Sequence, residues 1–331
     1  MSRNKINCWE YMKCGRGPEQ ENDICPAASD PSFDGMNDGI NAGRSCWLVA
    51  GTACKGSASG SFAKEFGNCR KCEFFKRVHG RKDQISLEIK NIDVMACTHT
   101  GLVQKTNEDR YLVRTMDNNA LLLGVADGLG GDVSSDVAAE LARGRLATLD
   151  KLPEGNVSEF LDKFAKDLDM FIYKKADDHP SLTYMATTLV CSILKDDMIH
   201  WVNIGDSRLY VLRNGKLIQV TKDQTLAKAL VEEGELKPED AKEHYSQKIL
   251  DQCLGYGICE PDTGKFKVKK NDIIVMATDG LYKMAAHNVM MNILNNDNTL
   301  KQKITALMDA ALSFGGKDNI TIVLAHIKQT L

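Results

Sequence analysis

The stretch Val125-Ala126-Asp127-Gly128-Leu129-Gly130-Gly131 ends an apolar run on a carboxylate and follows it with glycines. A carboxylate at the mouth of a buried strand is open to a ligand yet rigidly held, and a glycine beside it lets the backbone come close. The Gly128 carbonyl then stands as a second oxygen donor next to Asp127, a combination suited to a hard cation. A single Asp-Gly is more often a hairpin turn. Here, however, the pattern recurs. Asp279-Gly280 ends a second apolar run, Asp318 comes just before the strand-like residues 320–324, and Asn107-Glu108-Asp109 comes just before the strand-like residues 111–113. Carboxylates placed repeatedly at strand ends predict one shared rim.

The elements that must carry this rim follow from periodicity. Strand-like runs occupy 92–97, 111–114, 121–126, 187–194, 199–204, 208–212, 217–220, 273–277 and 320–325, and helix-like runs occupy 134–149, 157–175 and 300–312. In the second helix Val157, Phe160, Leu161, Phe164, Leu168, Phe171 and Ile172 share a face that must pack on a sheet. Asn214-Gly215 is a strong hairpin signal, so its neighbouring strands are antiparallel. Helices in consecutive pairs, with no βαβ rhythm, predict an α+β fold of two facing antiparallel sheets flanked by helices. This domain is placed at 90–331, behind a linker at 81–89, with a polar, helix-prone insert at 223–264.

The chain has 331 residues, 43% of them hydrophobic and 26% charged, with a formal net charge of -3. That is the profile of an ordinary globular protein, with no charge excess to attract nucleic acid or an anionic membrane. The start lacks the apolar core of a secretory signal, and no apolar run is long enough to span a bilayer, so a cytoplasmic location is expected. Of 11 cysteines, Cys8, Cys14, Cys25, Cys46, Cys54, Cys69 and Cys72 all precede Phe74. This defines a cysteine-rich domain at 1–80, rich in Gly, Ser, Asn and Asp and without a sustained period, which is expected to bury little core of its own. Its odd cysteine count in a cytoplasmic chain favours a bound metal, zinc or an iron–sulfur cluster, with Cys69 and Cys72 the best-spaced pair. Structural free thiols and redox disulfides are the other readings.

The pairs Cys8-Trp9 and Cys46-Trp47, with Cys14, Cys25 and Cys54 between and after them, make this domain resemble the small bacterial two-CW module found attached to signalling proteins. The resemblance implies a regulatory part without naming a ligand. Further along, Asn107-Glu108-Asp109, Ala126-Asp127-Gly128-Leu129-Gly130-Gly131, Ala186-Thr187-Thr188, Gly205-Asp206-Ser207-Arg208, Thr278-Asp279-Gly280-Leu281 and Asp318-Asn319 occur in the order seen in the metal-dependent PPM or PP2C protein phosphatases. This second part is similar to their bacterial form over about 94–327. The resemblance implies that Asp127 bridges two metal ions, that Asp279 and Asp318 complete one site, and that the Gly128 carbonyl and Glu108 complete the other. It also implies that Asp206 can hold a weaker third ion.

Oxygen-only donors suit Mg²⁺ or Mn²⁺ better than zinc. The implied reaction is hydrolysis of phosphoserine and phosphothreonine in proteins by a water activated between two ions, with Asp109 orienting that water, in signalling opposite a Ser/Thr kinase or on its targets. Two positions depart from the family. Gln104 stands where a phosphate-holding arginine is usual, leaving Lys105 as a neighbouring point charge, and Gln224 follows Asp223 where a histidine is common. The missing arginine keeps open a weakly active or inactive binding module of the same fold, or a redox or metal sensor that recognises a phosphoprotein or kinase.

Overall fold

Along Ile92–His99 successive side chains enter two different cores, with Ile92, Val94 and Ala96 in one and Met95 and Cys97 in the other. The same division holds in Ile273–Ala277, where Ile274 and Met276 face one core and Ile273, Val275 and Ala277 the other. A strand buried on both faces needs a layer on each side, and that requirement sets the architecture.

The computed structural model describes residues 5–21, 23–49, 51–54, 57–58, 69, 72–79, 83–89, 91–130, 135–152, 155–178, 182–241 and 244–329. It divides at Arg81 and Lys82 into two units. The first contains the short paired strands β1 (Ala53–Cys54) and β2 (Ser57–Ala58). The second contains β3 (Asp83–Ile89), β4 (Ile92–His99), β5 (Arg110–Thr115), β6 (Leu121–Ala126), β7 (Gly128–Leu129), β8 (Ala186–Thr187), β9 (Leu189–Lys195), β10 (Met198–Ile204), β11 (Arg208–Arg213), β12 (Lys216–Gln219), β13 (Asp262–Lys267), β14 (Ile273–Ala277) and β15 (Ile320–Ile327).

One sheet has the order β13-β10-β9-β6-β5 and the other β12-β11-β14-β15-β4-β3, with every pairing antiparallel. Leu121, Leu123, Val125 and Val190 of the first sheet meet Val94, Met276 and Val323 of the second in the core between them. The helices Ser135–Leu146 and Val157–Asp178 cover the first sheet, and His287–Asn295 and Leu300–Ser313 cover the second. The unit is therefore helix on sheet on sheet on helix, the expected α+β sandwich. Among the described residues no helix is long and apolar enough to cross a membrane.

Two stretches differ from the sequence reading. Residues 83–89, assigned to a linker, form β3, the edge strand paired with β4. Alternation of Ile85, Leu87 and Ile89 was the available signal, and Leu87 and Ile89 pack on the inter-sheet core. Among its described residues the insert assigned as polar and helical has a short α-helix, Leu226–Glu232, and a 3-10 turn, Tyr245–Lys248, and it ends in β13, an edge strand whose lysines outnumber its apolar residues. Edge position explains the composition, since charged edges resist unwanted pairing.

The first unit has more core than its composition promised. Ala27, Ala28, Phe33, Met36, Trp47, Leu48, Phe74 and Phe75 are buried, with Trp47 edge-on to Phe75 at 4.9 Å. Arg44 is buried beside them, donating from Nε to the Asn37 carbonyl at 2.6 Å and from Nη1 to the Ile6 carbonyl at 3.0 Å, with its guanidinium 5.8 Å from the Phe74 ring centroid. Aromatic packing around a hydrogen-bonded guanidinium thus supplies cohesion that the composition of this segment did not announce.

A buried carboxylate fixes the end of the insert to the second unit. Asp169, on the face of Val157–Asp178 that carries Leu161, Leu168 and Ile172, accepts backbone N–H groups from Gly255 (2.6 Å), Tyr256 (3.1 Å), Gly257 (3.0 Å) and Cys259 (2.9 Å). Truncation leaves these donors without their acceptor. Asp169→Ala is expected to cost about 3 kcal/mol in the urea-unfolding transition of this unit, with Asp169→Asn costing less because one amide oxygen still accepts. A loss below roughly 1 kcal/mol for the alanine variant would show that the loop is held by other contacts.

Candidate active site

The strand ends bring acidic side chains near one another. Asp127 follows β6, Asp109 precedes β5, Asp206 lies in the turn from β10 to β11, Asp279 follows β14, and Asp318 precedes β15. Their charges act on one another. Desolvation, then the charges of Asp109, Asp279, Asp206 and Asp318, hold the Asp127 carboxyl well above the usual carboxylate range. Burial pushes Asp109 up to about 7, partly offset by hydrogen bonds from Thr278 and Thr321 and reinforced by Asp279 and Asp318. Asp206 is raised as well, by burial and then by Asp279, with Lys283 opposing.

Neutral hydroxyls and amides hold the carboxylates in place. The Asp127 N–H donates to Thr188 Oγ1 at 3.0 Å, and its carbonyl accepts from Thr187 Oγ1 at 2.8 Å and from the Thr188 N–H at 2.9 Å. Thr278 Oγ1 donates to Asp109 Oδ2 at 2.7 Å while accepting the Thr321 N–H at 3.0 Å, so its orientation is fixed. Asn319 ties the loop before β5 to Asp318: its Oδ1 accepts the Glu108 N–H at 2.7 Å, and its Nδ2 donates to the Thr100 and Thr106 carbonyls at 2.8 and 2.9 Å. Glu108 Oε1 accepts from Thr106 Oγ1 at 3.0 Å.

Two buried carboxylate oxygens, Asp109 Oδ1 and Asp279 Oδ1, have no hydrogen-bond partner. Orphaned anionic oxygens beside further carboxylates call for positive charge. The donor set is all oxygen, so the residues present fit hard divalent cations such as Mg²⁺ or Mn²⁺. Among the described residues no three His, Cys, Asp or Glu side chains stand at ligand spacing.

The sequence pattern that defines the protein phosphatase 2C family matches residues 99–325. The chain belongs to this family. Over 235 residues, 69% of this chain and 93% of the relative, it is 34% identical to the serine/threonine phosphatase stp of Listeria monocytogenes. It is 32% identical to the serine/threonine protein phosphatase PstP of Mycobacterium tuberculosis over 228 residues, 69% of this chain and 43% of that protein. A crystal structure of the Mycobacterium tuberculosis phosphatase PstP/Ppp superposes with a TM-score of 0.65 at 31% identity, covering 72% of this chain and 99% of that one. The PstP catalytic domain in complex with two manganese ions superposes with a TM-score of 0.62 at 31% identity, covering 71% and 97%.

Within this PP2C frame the Asp-Gly pairs have a steric cause. A Cβ on Gly128 would lie 2.1 Å from the Ser135 carbonyl oxygen and 2.9 Å from that of Glu108, and one on Gly280 would lie 1.9 Å from the Asn319 carbonyl oxygen. These glycines let other backbone segments press against the carboxylate rim. Gly101 was missed by sequence reasoning. Its φ is +81° and a Cβ would meet the Asp318 carbonyl oxygen at 2.2 Å, so only glycine brings the two ends of the rim together there.

The two departures from the family pattern have distinct structural roles. Gln104 is exposed and donates from Nε2 to Asp318 Oδ1 at 3.3 Å, which puts it at the rim, and Lys105 beside it is exposed. Gln224 stitches the start of the insert to the Asp206 turn: its Oε1 accepts the Gly205 N–H at 2.8 Å, and its own N–H donates to the Gly205 carbonyl at 3.1 Å.

Lys283 and Tyr282 were also missed, although Asp279 and Lys283 have the i,i+4 spacing of an ion pair at a helix start. Lys283 Nζ lies 2.5 Å from Asp279 Oδ2 and 3.3 Å from Asp206 Oδ2, and Tyr282 donates its hydroxyl to Asp206 Oδ2 at 3.1 Å.

Among the cysteines expected to hold a metal or cluster, Cys8 and Cys46 meet, and the hydrogen bond from Cys46 is the main reason the Cys8 thiol is lowered from its ordinary value. Cys14 is exposed, Cys25 buried, and Cys69 and Cys72 half-buried. The Cys54 side chain lies outside the described residues.

Gly280→Ala is expected to destabilise the second unit by about 2–4 kcal/mol and to abolish Mn²⁺ binding, because the contact is with backbone that no rotamer change can relieve. Thermal unfolding and Mn²⁺ calorimetry check both halves. Wild-type stability with wild-type Mn²⁺ affinity would refute the steric reading.

Proposed function

We propose that the second unit hydrolyses phosphoserine and phosphothreonine in phosphorylated proteins, using two divalent cations held by its carboxylate rim. One observation carries this reading: five acidic side chains from the ends of both sheets act on one another, and two of their buried oxygens are left without hydrogen-bond partners. Asp127 would be shared by both ions, with Asp279 and Asp318 serving one and Glu108 and the Gly128 carbonyl the other. When bound, the ions supply the positive charge that neutralises phosphoryl oxygens and makes water a competent nucleophile near neutral pH. The relatives named as serine/threonine phosphatases, and the related structure with two manganese ions, support the same assignment.

The rest of the chemistry falls to protein groups. Asp109, braced at Oδ2 by Thr278, presents Oδ1 to orient the attacking water in line with the leaving serine or threonine oxygen. Substrate phosphate would approach past Gln104 and Lys105, so this chain meets it with an amide and a point charge in place of a guanidinium fork. The cysteine-rich unit contributes no ligand to this proposal.

Hydrolysis of a phosphoserine peptide with and without Mn²⁺ tests the reading. Asp127→Asn and Asp279→Asn are each expected to lower turnover by about 100-fold or more, with a native circular dichroism spectrum. Near-normal Mn²⁺-dependent activity in either would sink the two-ion assignment. Gln104→Arg is expected to lower KM roughly tenfold with little change in kcat, since the added fork binds phosphate in ground and transition states alike. An unchanged KM would mean that position 104 does not meet the substrate.

A further inference from the structure

Asp206 and Asp279 reach toward each other from different turns, and a side chain of the protein itself stands between them. Lys283 Nζ is 2.5 Å from Asp279 Oδ2 and 3.3 Å from Asp206 Oδ2. Asp279 thus divides its oxygens, with Oδ2 on the ammonium and Oδ1 buried and unpartnered on the side left for the main cations. Asp206 Oδ2 is occupied twice, by Lys283 and by the Tyr282 hydroxyl at 3.1 Å, and Tyr282 also donates to the Asp206 carbonyl at 2.9 Å. The Tyr282 ring is clamped by the Arg208 guanidinium, 3.5 Å from its centroid.

We propose that the Lys283 ammonium is a built-in cation that occupies the Asp206 and Asp279 oxygens a weaker third divalent ion at Asp206 would need, so that this chain loads two ions and no third. The proposal rests on the two-ion reading above. A tethered charge competes from a high effective concentration, whereas a weakly held ion must be drawn from solution. Displacing Lys283 would also break two charge-assisted contacts at once. A cavity of about 260 Å³, lined by Asp206, Arg208, Asp223, Gln247, Tyr282 and Lys283, opens on the Asp206 side of this ion pair.

Counting bound Mn²⁺ tests this without reference to turnover. The full chain is titrated with Mn²⁺ by calorimetry, and free ion is followed by electron paramagnetic resonance. Wild type and Lys283→Arg are expected to bind two ions per chain and Lys283→Met three, while Asp206→Asn leaves the wild-type count unchanged. Thermal unfolding of each metal-free variant checks the fold. Three ions in wild type, with one lost in Asp206→Asn, would overturn the proposal. Two ions in both wild type and Lys283→Met would overturn it and leave the two-ion reading standing. No bound Mn²⁺ in folded wild type would overturn both.

Discussion

Repulsion among the rim carboxylates is the constraint to which the second unit answers. Two unit charges about 5 Å apart at an effective dielectric near 20 repel by roughly 3 kcal/mol, and a group of five contains several such pairs. Left to themselves the side chains would swing apart or take up protons, as the upward shifts of Asp109, Asp127 and Asp206 show. They stay together because each is attached at or beside the end of a strand whose own position is set elsewhere. Burial of β4, β14 and β15 on both faces, between a second sheet and a helix layer, gives those ends a rigidity that a loop scaffold would lack.

The groups that brace the rim residues are mostly neutral. Thr98, Asn107, Thr278 and Thr321 are linked by hydrogen bonds of 2.7–3.0 Å, and Thr188 shares a 2.7 Å hydrogen bond with Ser207. A cation in that layer would relieve the repulsion and remove the demand for an ion; a hydroxyl fixes geometry and leaves the charge uncompensated. Lys283 is the exception, and it sits to one side, against Asp206 and the outer oxygen of Asp279. Arg110 lies near the rim with its charge engaged by other acids: its guanidinium pairs with Glu140 at 2.8 Å and Asp136 at 3.7 Å, and its Nη1 donates to the Asn107 and Asp109 carbonyls at 2.8 and 2.9 Å.

The rim was legible because its signal is local. Each Asp-Gly or Asp-Asn stands beside an apolar run, so residue type and position along the chain foretell where the carboxylate ends up. The long helix Val157–Asp178 was legible from its period for the same reason. What stayed hidden depends on partners distant in sequence. Asp169 looks like one more helix-surface acid until the loop at 255–259 arrives with four N–H groups. Gly101 looks like a turn glycine until the Asp318 carbonyl is beside it. β3 was lost because its alternating Ile85, Leu87 and Ile89 were taken into the linker, and β13 because Phe266 is its one large apolar residue. In the first unit, cysteine spacing drew the reading toward ligands, while Arg44 and the aromatic side chains that hold the segment carry no periodic signal.

The insert between β12 and β13 shows how such a scaffold can vary what it acts on without loosening the rim. At its start Asp223 is paired bidentately with Arg208 at 2.7 and 2.8 Å, and Gln224 is stitched to Gly205 beside Asp206. Near its end Asp169 gathers the 255–259 loop, and Leu254 exchanges backbone hydrogen bonds with Thr187, the residue whose hydroxyl holds the Asp127 carbonyl. Both ends are thus fastened to residues that position carboxylates. Between the anchors, Tyr245, Ile249, Tyr256 and Ile258 are exposed. A segment fixed at both ends can change these side chains, and with them the surface offered to a phosphoprotein, at little cost to the geometry beneath, because loop-closure entropy depends weakly on what lies between fixed ends. Gln224, a departure from the family pattern when judged by chemistry, is therefore better understood as structural. Its side-chain oxygen accepts the Gly205 N–H while its backbone N–H donates to the Gly205 carbonyl, which locks the insert to the Asp206 turn, and nothing in that role requires a group that titrates.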